Sequence, residues 1–277
     1  KPASRDLGGT KSNQDLRAFY DAVYKDGPER RFSNWKVGQS VDAVLSSANW
    51  SGCRVLDAGC GSGDLVRSLR AMGADRVVGV DFSEEAIRLA SENTDDPGIE
   101  YICTDVLDYR PDEKFDAIAS LGTVEHLDDP AVFLRHLEGL LAPEGNLLLT
   151  CPHFVNLRGI AWMTLALLQD VPMSLSDLHF VNPWDMARWS EEAGLRIKDM
   201  TTLDYSRGNG ERLVEDFTKR IPNALRDAGL DGAGAERFLD YLRSFTDYIE
   251  ANPDEVRLQG ATACYVLTRR SDGEQAT

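Results

Sequence analysis

The segment VLDAGCGSGDL, residues 55–65, constrains the fold of this chain more than any other stretch. An apolar, strand-like run leads directly into Gly59, Gly61 and Gly63, and a helix-like stretch follows. Glycine allows a sharp turn, and it lets a ligand approach the backbone where a Cβ atom would otherwise stand. The order of strand, glycine turn and helix therefore predicts an α/β unit with a ligand at the turn.

Short apolar runs alternate with amphipathic stretches from residue 53 to about residue 151, which is typical of a parallel sheet wrapped by helices. Ser62, Ser83 and the pair Asp129-Pro130 are residue types that suit a helix start, so we predict that helices begin there. Two further strands are expected nearer the C-terminus. The predicted strands lie at residues 53–58, 76–81, 99–104, 115–120, 146–151, 196–205 and 261–270.

Acidic residues stand at the ends of the first three predicted strands. Asp57 comes two residues before the first glycine, Asp81 ends the second strand, and Asp105 follows the third. A carboxylate at the first position suits a cationic or amine-bearing ligand, whereas Asp81 is placed to accept the hydroxyls of a ribose. Asp105 would then meet an adenine edge. The simpler alternative is a tight turn with no ligand, but three acidic strand ends favour a binding site.

The charge of the chain limits its partners. Thirty Lys and Arg residues against 46 Asp and Glu residues give a net charge of −16. Such a balance opposes binding to nucleic acid and to anionic lipid surfaces. The most apolar stretch, residues 159–168, is far shorter than the ~20 residues of a membrane span. We therefore expect neither a nucleic-acid partner nor a membrane-spanning segment.

The five cysteines lie far apart and form no CxxC pair, so they are interpreted as reduced thiols. No secretory signal is visible in the sequence. A cytoplasmic location is the resulting expectation.

Residues 53–151 closely resemble the class I S-adenosylmethionine-dependent methyltransferases, in the small-molecule branch that includes the ubiquinone-biosynthesis O-methyltransferases. The matching segments occur in the family's order and are VLDAGCGSGDL, VVGVDFSEEAI, CTDVLDY, FDAIASLGTVEHLDDP and LLAPEGNLLLTCPH. The resemblance implies an α/β, Rossmann-like fold with a seven-stranded, mostly parallel sheet, an antiparallel last strand, and helical lid and insertion segments.

The sequence also predicts how the chain is divided. The α/β core would comprise residues 51–207 and 256–270, with a helical insertion at 155–182. Residues 1–50 would form an N-terminal helical lid. Residues 208–255 would form a second helical insertion before the last strand.

A site for S-adenosylmethionine, with S-adenosylhomocysteine as product, follows from the same resemblance. Asp57 and the loop that contains Gly59, Cys60, Gly61 and Gly63 would hold the aminopropyl-carboxylate tail. Asp81 would bind the ribose hydroxyls. The remaining implied contacts are Phe82, Asp105 and Val106 at the adenine, and Ser120 and Leu121 on the sulfonium side.

Three of the four histidines fall beyond predicted strand ends, where ligands bind in an open α/β sheet: His126, His153 and His179. An imidazole can take the proton of a phenol or alcohol near neutral pH, so each is a candidate general base. The alternative for each is a structural hydrogen bond, and we favour it for His126. The ubiquinone-type enzymes carry a Glu where this chain has Gly122, so the Glu125-His126 pair lacks a ligand and no metal is predicted.

The aromatic residues outside the core leave two interpretations open. Trp162 and Met163 could belong to a lid and face an apolar acceptor. The favoured alternative is that their helix packs on the sheet or across a homodimer interface. Tyr20, Tyr24 and Trp35 could cover the cofactor or belong to the core.

The sequence thus predicts a S-adenosylmethionine-dependent methyltransferase that acts on a small molecule, with O-methylation favoured over N-methylation of a small amine. A NAD-binding oxidoreductase is an alternative, but it predicts GxGxxG spacing rather than GxGxG and leaves Asp57 and Asp105 unexplained. A catalytically silent binding partner is a second alternative, against which the intact acidic set argues.

Overall fold

The structure is a computed structural model, and it describes residues 20–25, 37–171, 177–251 and 260–270. Trp35 lies outside these residues. The chain divides into two compact units. We call the first the α/β unit, and it contains the described residues of 20–151, 183–201 and 264–270. The second, the helical unit, contains those of 152–182 and 202–263.

Seven strands form one sheet. Six of them match the predicted bounds to within two residues, and the fifth begins five residues earlier than predicted. Their bounds are β1 Arg54–Ala58, β2 Arg76–Asp81, β3 Ile99–Cys103, β4 Phe115–Leu121, β5 Leu141–Pro152, β6 Leu195–Leu203 and β7 Thr262–Arg269. The strand order is β3-β2-β1-β4-β5-β7-β6, and only the last strand of the chain runs antiparallel. The predicted Rossmann-like fold class is confirmed.

The strand order places the glycine segment at the centre of the sheet. Strand β1 pairs in parallel with β2 on one side and with β4 on the other, and Asp57 lies opposite Gly79 and Ala119. The chain leaves β1 toward β2 and later returns to the other side of β1 as β4. At such a switch point the connections diverge, and a crevice opens beyond the carboxyl ends of the strands.

The helices that flank the sheet have the bounds α1 Val37–Ser46, α2 Asp64–Ala71, α3 Glu84–Glu92, α4 Pro130–Leu140 and α6 Pro183–Glu192. Side-chain caps mark the starts of α3 and α4. The Ser83 hydroxyl accepts a hydrogen bond from Ala86 N–H, and the Asp129 carboxylate accepts one from Val132 N–H, as predicted.

The predicted cap at Ser62 is wrong. Helix α2 has Gly63 as its N-cap, with no side-chain cap, and the Ser62 hydroxyl instead donates to the Asp64 carboxylate. The residue directly before α2 has a left-handed backbone conformation, with a φ of +79° at Gly63. Glycine adopts this conformation without strain, whereas serine does not. This requirement overrides the preference for serine.

Apolar side chains from the sheet and from helices α1 and α2 form the core of the α/β unit. The apolar face of α2 contributes Leu65, Val66 and Leu69, at the spacing of one helix face. Strands β1 and β2 are buried on both faces, as the continuous apolar runs of a covered parallel sheet require.

The helical unit has a core of its own. Its helices are α5 Leu157–Gln169, α7 Tyr205–Asn209, α8 Glu211–Asp227 and α9 Ala235–Ala251. The core is built on Trp162 and Phe217, whose rings meet edge to face at a centroid distance of 5.2 Å. Trp162 is 1% exposed, so in this structure it packs in the core and does not face a pocket.

None of the helices in the described residues combines the length and apolar character that crossing a bilayer requires.

Candidate functional site

The glycine loop after β1 adopts a backbone that other residues rarely reach. Gly59, Gly61 and Gly63 have φ angles of +85°, +51° and +79°. A Cβ atom at Gly59 would lie 2.7 Å from Thr123 Oγ1, and one at Gly61 would collide with the Tyr24 hydroxyl. The loop therefore requires glycine both for its conformation and for its close neighbours.

Backbone hydrogen bonds tie the loop to the end of β2. The N–H groups of Gly59 and Cys60 both donate to the Val80 carbonyl oxygen, at 2.8 and 3.0 Å. Gly61 N–H donates to Asp81 Oδ2 at 2.9 Å. The loop and the acidic end of β2 consequently form one rigid element.

Asp57 lies beneath this loop and is almost fully buried, at 2% exposure. Burial, together with the nearby carboxylates of Asp81 and Asp64, raises the pKa of its carboxyl to about 8. A buried carboxyl beside two acidic groups is an unfavourable place for negative charge. A cationic ligand group would remove that penalty, so the site suits an ammonium.

Asp81 is also buried, but its carboxylate accepts several hydrogen bonds from the backbone. Besides Gly61 N–H, the N–H of Ser83 donates to Asp81 Oδ1 at 2.9 Å. Burial raises the pKa of Asp81, and the hydrogen bonds from Ser83, Gly61 and Phe82 oppose that rise. Its orientation is therefore fixed at the strand end.

The predicted adenine-side and sulfonium-side residues lie in the same unit. The Asp105 carboxylate accepts a hydrogen bond from Leu107 N–H at 2.8 Å, which caps the 3₁₀ turn Val106–Asp108, and Val106 is buried. The Ser120 hydroxyl donates to the Ala58 carbonyl oxygen at 2.6 Å, which ties the end of β4 to β1, and Leu121 follows it.

A helical segment, residues 20–25, lies against the glycine loop. The Tyr24 hydroxyl contacts Gly61, and Asp21 hydrogen-bonds to the Ser83 hydroxyl. The Tyr20 ring lies 6.1 Å from the ring of Phe82 and 5.9 Å from that of His126. The sequence left the role of these tyrosines open, and it gave no signal for Asp21 because the contact joins residues far apart in the chain.

The three candidate histidines are divided between the units. In the α/β unit, His126 Nε2 lies 3.9 Å from Glu125 Oε1, with both side chains mostly buried. In the helical unit, His153 is fully buried and its backbone N–H donates to the Ala261 carbonyl oxygen at 2.8 Å. His179 belongs to the same unit and is half-buried. Within the described residues, no group of three His, Cys, Asp or Glu side chains is arranged to hold a metal ion.

Comparison with known proteins identifies relatives of this site. The family described as "Methyltransferase domain" matches residues 56–149. The ubiquinone biosynthesis O-methyltransferase of Neisseria meningitidis serogroup C is 31% identical over 176 residues, which are 60% of this chain and 73% of that protein. The enzyme of the same name from Bradyrhizobium diazoefficiens is 30% identical over 207 residues, 68% of this chain and 79% of that protein.

A solved structure shares the fold. Magnesium protoporphyrin IX methyltransferase from Synechocystis PCC 6803, with bound S-adenosylhomocysteine, superposes with a TM-score of 0.57 at 20% identity, over 70% of this chain and 94% of that one. None of these three proteins is named for a nicotinamide-dependent reaction, so they give no support to the oxidoreductase alternative. The chain belongs to the class I S-adenosylmethionine-dependent methyltransferase family and is a methyltransferase of that kind.

Proposed function

We propose that the α/β unit binds S-adenosylmethionine at the glycine loop and that the enzyme O-methylates a small-molecule acceptor. The observation that carries the first part is the buried carboxyl of Asp57, whose raised pKa marks a place that a positive charge would stabilise. The amino-acid end of the methyl donor carries an ammonium group. The charge of the site and the charge of the ligand are therefore complementary.

The loop and the strand ends would hold the rest of the donor. Gly59, Cys60, Gly61 and Gly63 would form the turn that holds the aminopropyl-carboxylate tail. At the three glycines, the side chains of Thr123, Tyr24 and Tyr101 take the places where Cβ atoms would stand, so the turn is packed closely against its neighbours. Asp81, held rigid by backbone N–H groups, would accept the ribose hydroxyls. The other proposed contacts are Phe82, Asp105 and Val106 at the adenine, and Ser120 and Leu121 near the sulfonium.

The helical segment 20–25 would cover the bound donor. Tyr20 lies beside Phe82, and Tyr24 is buried against Gly61. Such a cover would exclude water, which strengthens the electrostatic contacts in the site. It would also help to hold the reacting groups in line. This supports, for the part of residues 1–50 that the structure describes, the lid that the sequence predicts.

When bound, S-adenosylmethionine supplies an electrophilic methyl group. The protein has to align the acceptor oxygen and to accept its proton if the hydroxyl does not ionise alone. His126 is the candidate base in the α/β unit, since Glu125 lies close enough to orient its imidazole. His153 and His179 stay candidates in the helical unit, although full burial gives His153 no open path to an acceptor in this structure.

Two curated relatives named as O-methyltransferases support methylation of oxygen rather than nitrogen. A small-molecule acceptor agrees with those names. The cytoplasmic location and the homodimer stay predictions.

Methyl transfer from labelled S-adenosylmethionine to a panel of phenols, alcohols and amines tests the proposal. We expect phenols to accept the label, and His126→Gln to lower kcat at pH 7 by about 10² to 10⁴-fold, the range of general-base catalysis. Lys198→Gln is the control, because Lys198 is exposed on β6, the edge strand of the sheet. Transfer of the labelled methyl group to amines but not to phenols would contradict O-methylation. Full activity of His126→Gln would exclude His126 as the base.

A further inference from the structure

The helical segment 20–25 brings to the donor site an acidic side chain that the proposed binding contacts do not include. Asp21 is half-buried, and its carboxylate accepts a hydrogen bond from the Ser83 hydroxyl. Its neighbours Tyr20 and Tyr24 contact the proposed adenine side and the glycine loop. Asp21 is therefore held between two residues that lie against the donor site.

The Ser83 hydroxyl fixes where this carboxylate lies. Ser83 is fully buried, and its hydroxyl also accepts a hydrogen bond from Ala86 N–H as the cap of α3. Its backbone N–H donates to Asp81 Oδ1 at 2.9 Å. The helix start and the end of β2 thus hold the hydroxyl in place, and a charge-assisted hydrogen bond holds the Asp21 carboxylate on it.

Asp21 adds a negative charge to a place that is already acidic. The carboxyl groups of Asp21 and Asp81 bond to the same residue, Ser83. Burial is the main cause of the raised pKa of Asp81, and the charge of Asp21 adds to it. None of the ion pairs within the described residues involves Asp21, Asp57 or Asp81. A positive charge that joins these groups would relieve their repulsion.

The methyl donor and its product differ by one positive charge. S-adenosylmethionine carries a sulfonium, whereas the sulfur of S-adenosylhomocysteine is a neutral thioether, because the electron pair of the broken S–C bond stays on the sulfur. The ammonium and carboxylate groups are the same in both ligands. A negative group in the segment that covers the site therefore attracts the donor more than the product, and the attraction is stronger where water is excluded.

We propose that the negative charge of Asp21 makes the site prefer S-adenosylmethionine to S-adenosylhomocysteine. The inference rests on the proposed donor site and adds to it a residue of the covering segment. Asp57 does not account for such a preference, since the ammonium that it would receive is common to both ligands. Loss of the sulfonium charge in the reaction would weaken the hold of segment 20–25 on the ligand and favour release of the product.

Calorimetric titration of the full chain with each ligand separately tests the proposal. Asp21→Asn removes the charge and keeps an oxygen that can accept from the Ser83 hydroxyl. We expect its affinity for S-adenosylmethionine to fall about fivefold, as the loss of one nearby charge predicts, and its affinity for S-adenosylhomocysteine to stay as in the parent. A purely structural role for Asp21 would weaken both ligands equally, and that result would overturn the proposal.

Two further variants separate charge from shape. Asp21→Glu keeps the charge and should keep the parent's ratio of the two affinities, even if the longer side chain weakens both ligands. Asp42→Asn removes a charge of the same sign from an exposed position on α1 and should leave both affinities unchanged. A loss of the donor preference in Asp21→Glu, or the same loss in Asp42→Asn, would overturn the assignment to Asp21.

The parent chain distinguishes this inference from the proposed function. Binding of neither ligand by the parent would overturn the donor site itself, and this inference with it. Binding of both ligands by the parent, with an unchanged ratio of affinities in Asp21→Asn, would overturn the inference alone.

Discussion

The two units of this chain bury ionisable groups of opposite type. In the α/β unit, the carboxyl groups of Asp57 and Asp81 are buried beside a glycine loop. In the helical unit, the buried basic side chain is the guanidinium of Arg158, which is paired with Asp216. Within the part of the chain that the structure describes, the acidic groups of the first unit therefore lie close together without a cationic partner, whereas the basic group of the second unit has a carboxylate beside it. Net charge describes neither place, because the local surroundings of a few buried groups decide what each unit can bind.

The largest effect expected from this comparison is at Asp81. Asp81→Ala removes the hydroxyl acceptor and the anchor of Gly61 N–H, so the affinity for S-adenosylmethionine should fall about 100-fold or more, from the loss of two hydrogen bonds to a charged group. Asp75→Ala is the control, since Asp75 is exposed just before the opposite end of β2. Calorimetric titration measures both. Near-normal affinity in Asp81→Ala would remove this residue from the site.

A second effect concerns stability and its dependence on pH. The pKa of Asp57 is raised from an ordinary 3.8 to about 8 in the folded protein. The folded state then binds more protons than the unfolded chain between these values, so this carboxyl lowers stability as the pH rises from 4 to 8. Asp57→Asn should therefore be more stable than the parent at pH 8, by ~2 kcal/mol or more, and similar at pH 4.

Asp116 provides a control of opposite sign for that experiment. Its pKa is lowered by hydrogen bonds from Arg54, so its contribution is present above the ordinary carboxyl pKa and is lost as the pH falls through the lowered value. Asp116→Asn should be less stable than the parent at pH 8. Denaturant unfolding at both pH values measures the pair, and a parent more stable than Asp57→Asn at pH 8 would contradict the account.

A smaller effect is expected in the helical unit. Arg220→Ala removes the stack on Trp162 and a contact with Asp216, and should cost ~1 to 2 kcal/mol of unfolding free energy. Its affinity for S-adenosylmethionine should stay unchanged. Arg243→Ala breaks an exposed pair with Asp240 on α9 and should cost under ~0.5 kcal/mol. A large loss of affinity for S-adenosylmethionine in Arg220→Ala would contradict the assignment of donor binding to the α/β unit alone.

The smallest effect tests the helix starts of the α/β unit. Ser83→Ala removes the cap of α3 and should cost ~1 kcal/mol. Ser62→Ala removes a hydroxyl that caps nothing and should cost close to zero. Equal losses in thermal unfolding would mean that Ser62 does cap α2.

The sequence predicted the α/β unit well because its signals are local. A strand, a glycine turn and the next helix are contiguous, so Asp57 and Asp81 could be assigned from their places at strand ends. The cap at Ser62 was mispredicted because a backbone demand at Gly63 prevailed over a side-chain preference. Nothing in the sequence could show that Tyr24 reaches Gly61.

The helical unit was predictable only as helices. Its two long helices and the break at residues 229–234 follow from periodicity and glycine content. The meeting of Arg158, Asp216 and Arg220 depends on how α5 and α8 pack, which periodicity does not specify. The same packing places Trp162 in the core.

The most direct test of the central claim, that buried Asp57 receives the ammonium of the methyl donor, is the proton exchange on binding. At pH 7 a carboxyl with a pKa of about 8 is mostly protonated, and a bound cation lowers that pKa. Titration with S-adenosylmethionine in phosphate and in Tris buffer should show release of about one proton per site in the parent chain and none in Asp57→Asn. Identical heats in the two buffers for the parent, or the same proton release in Asp57→Asn, would contradict the account.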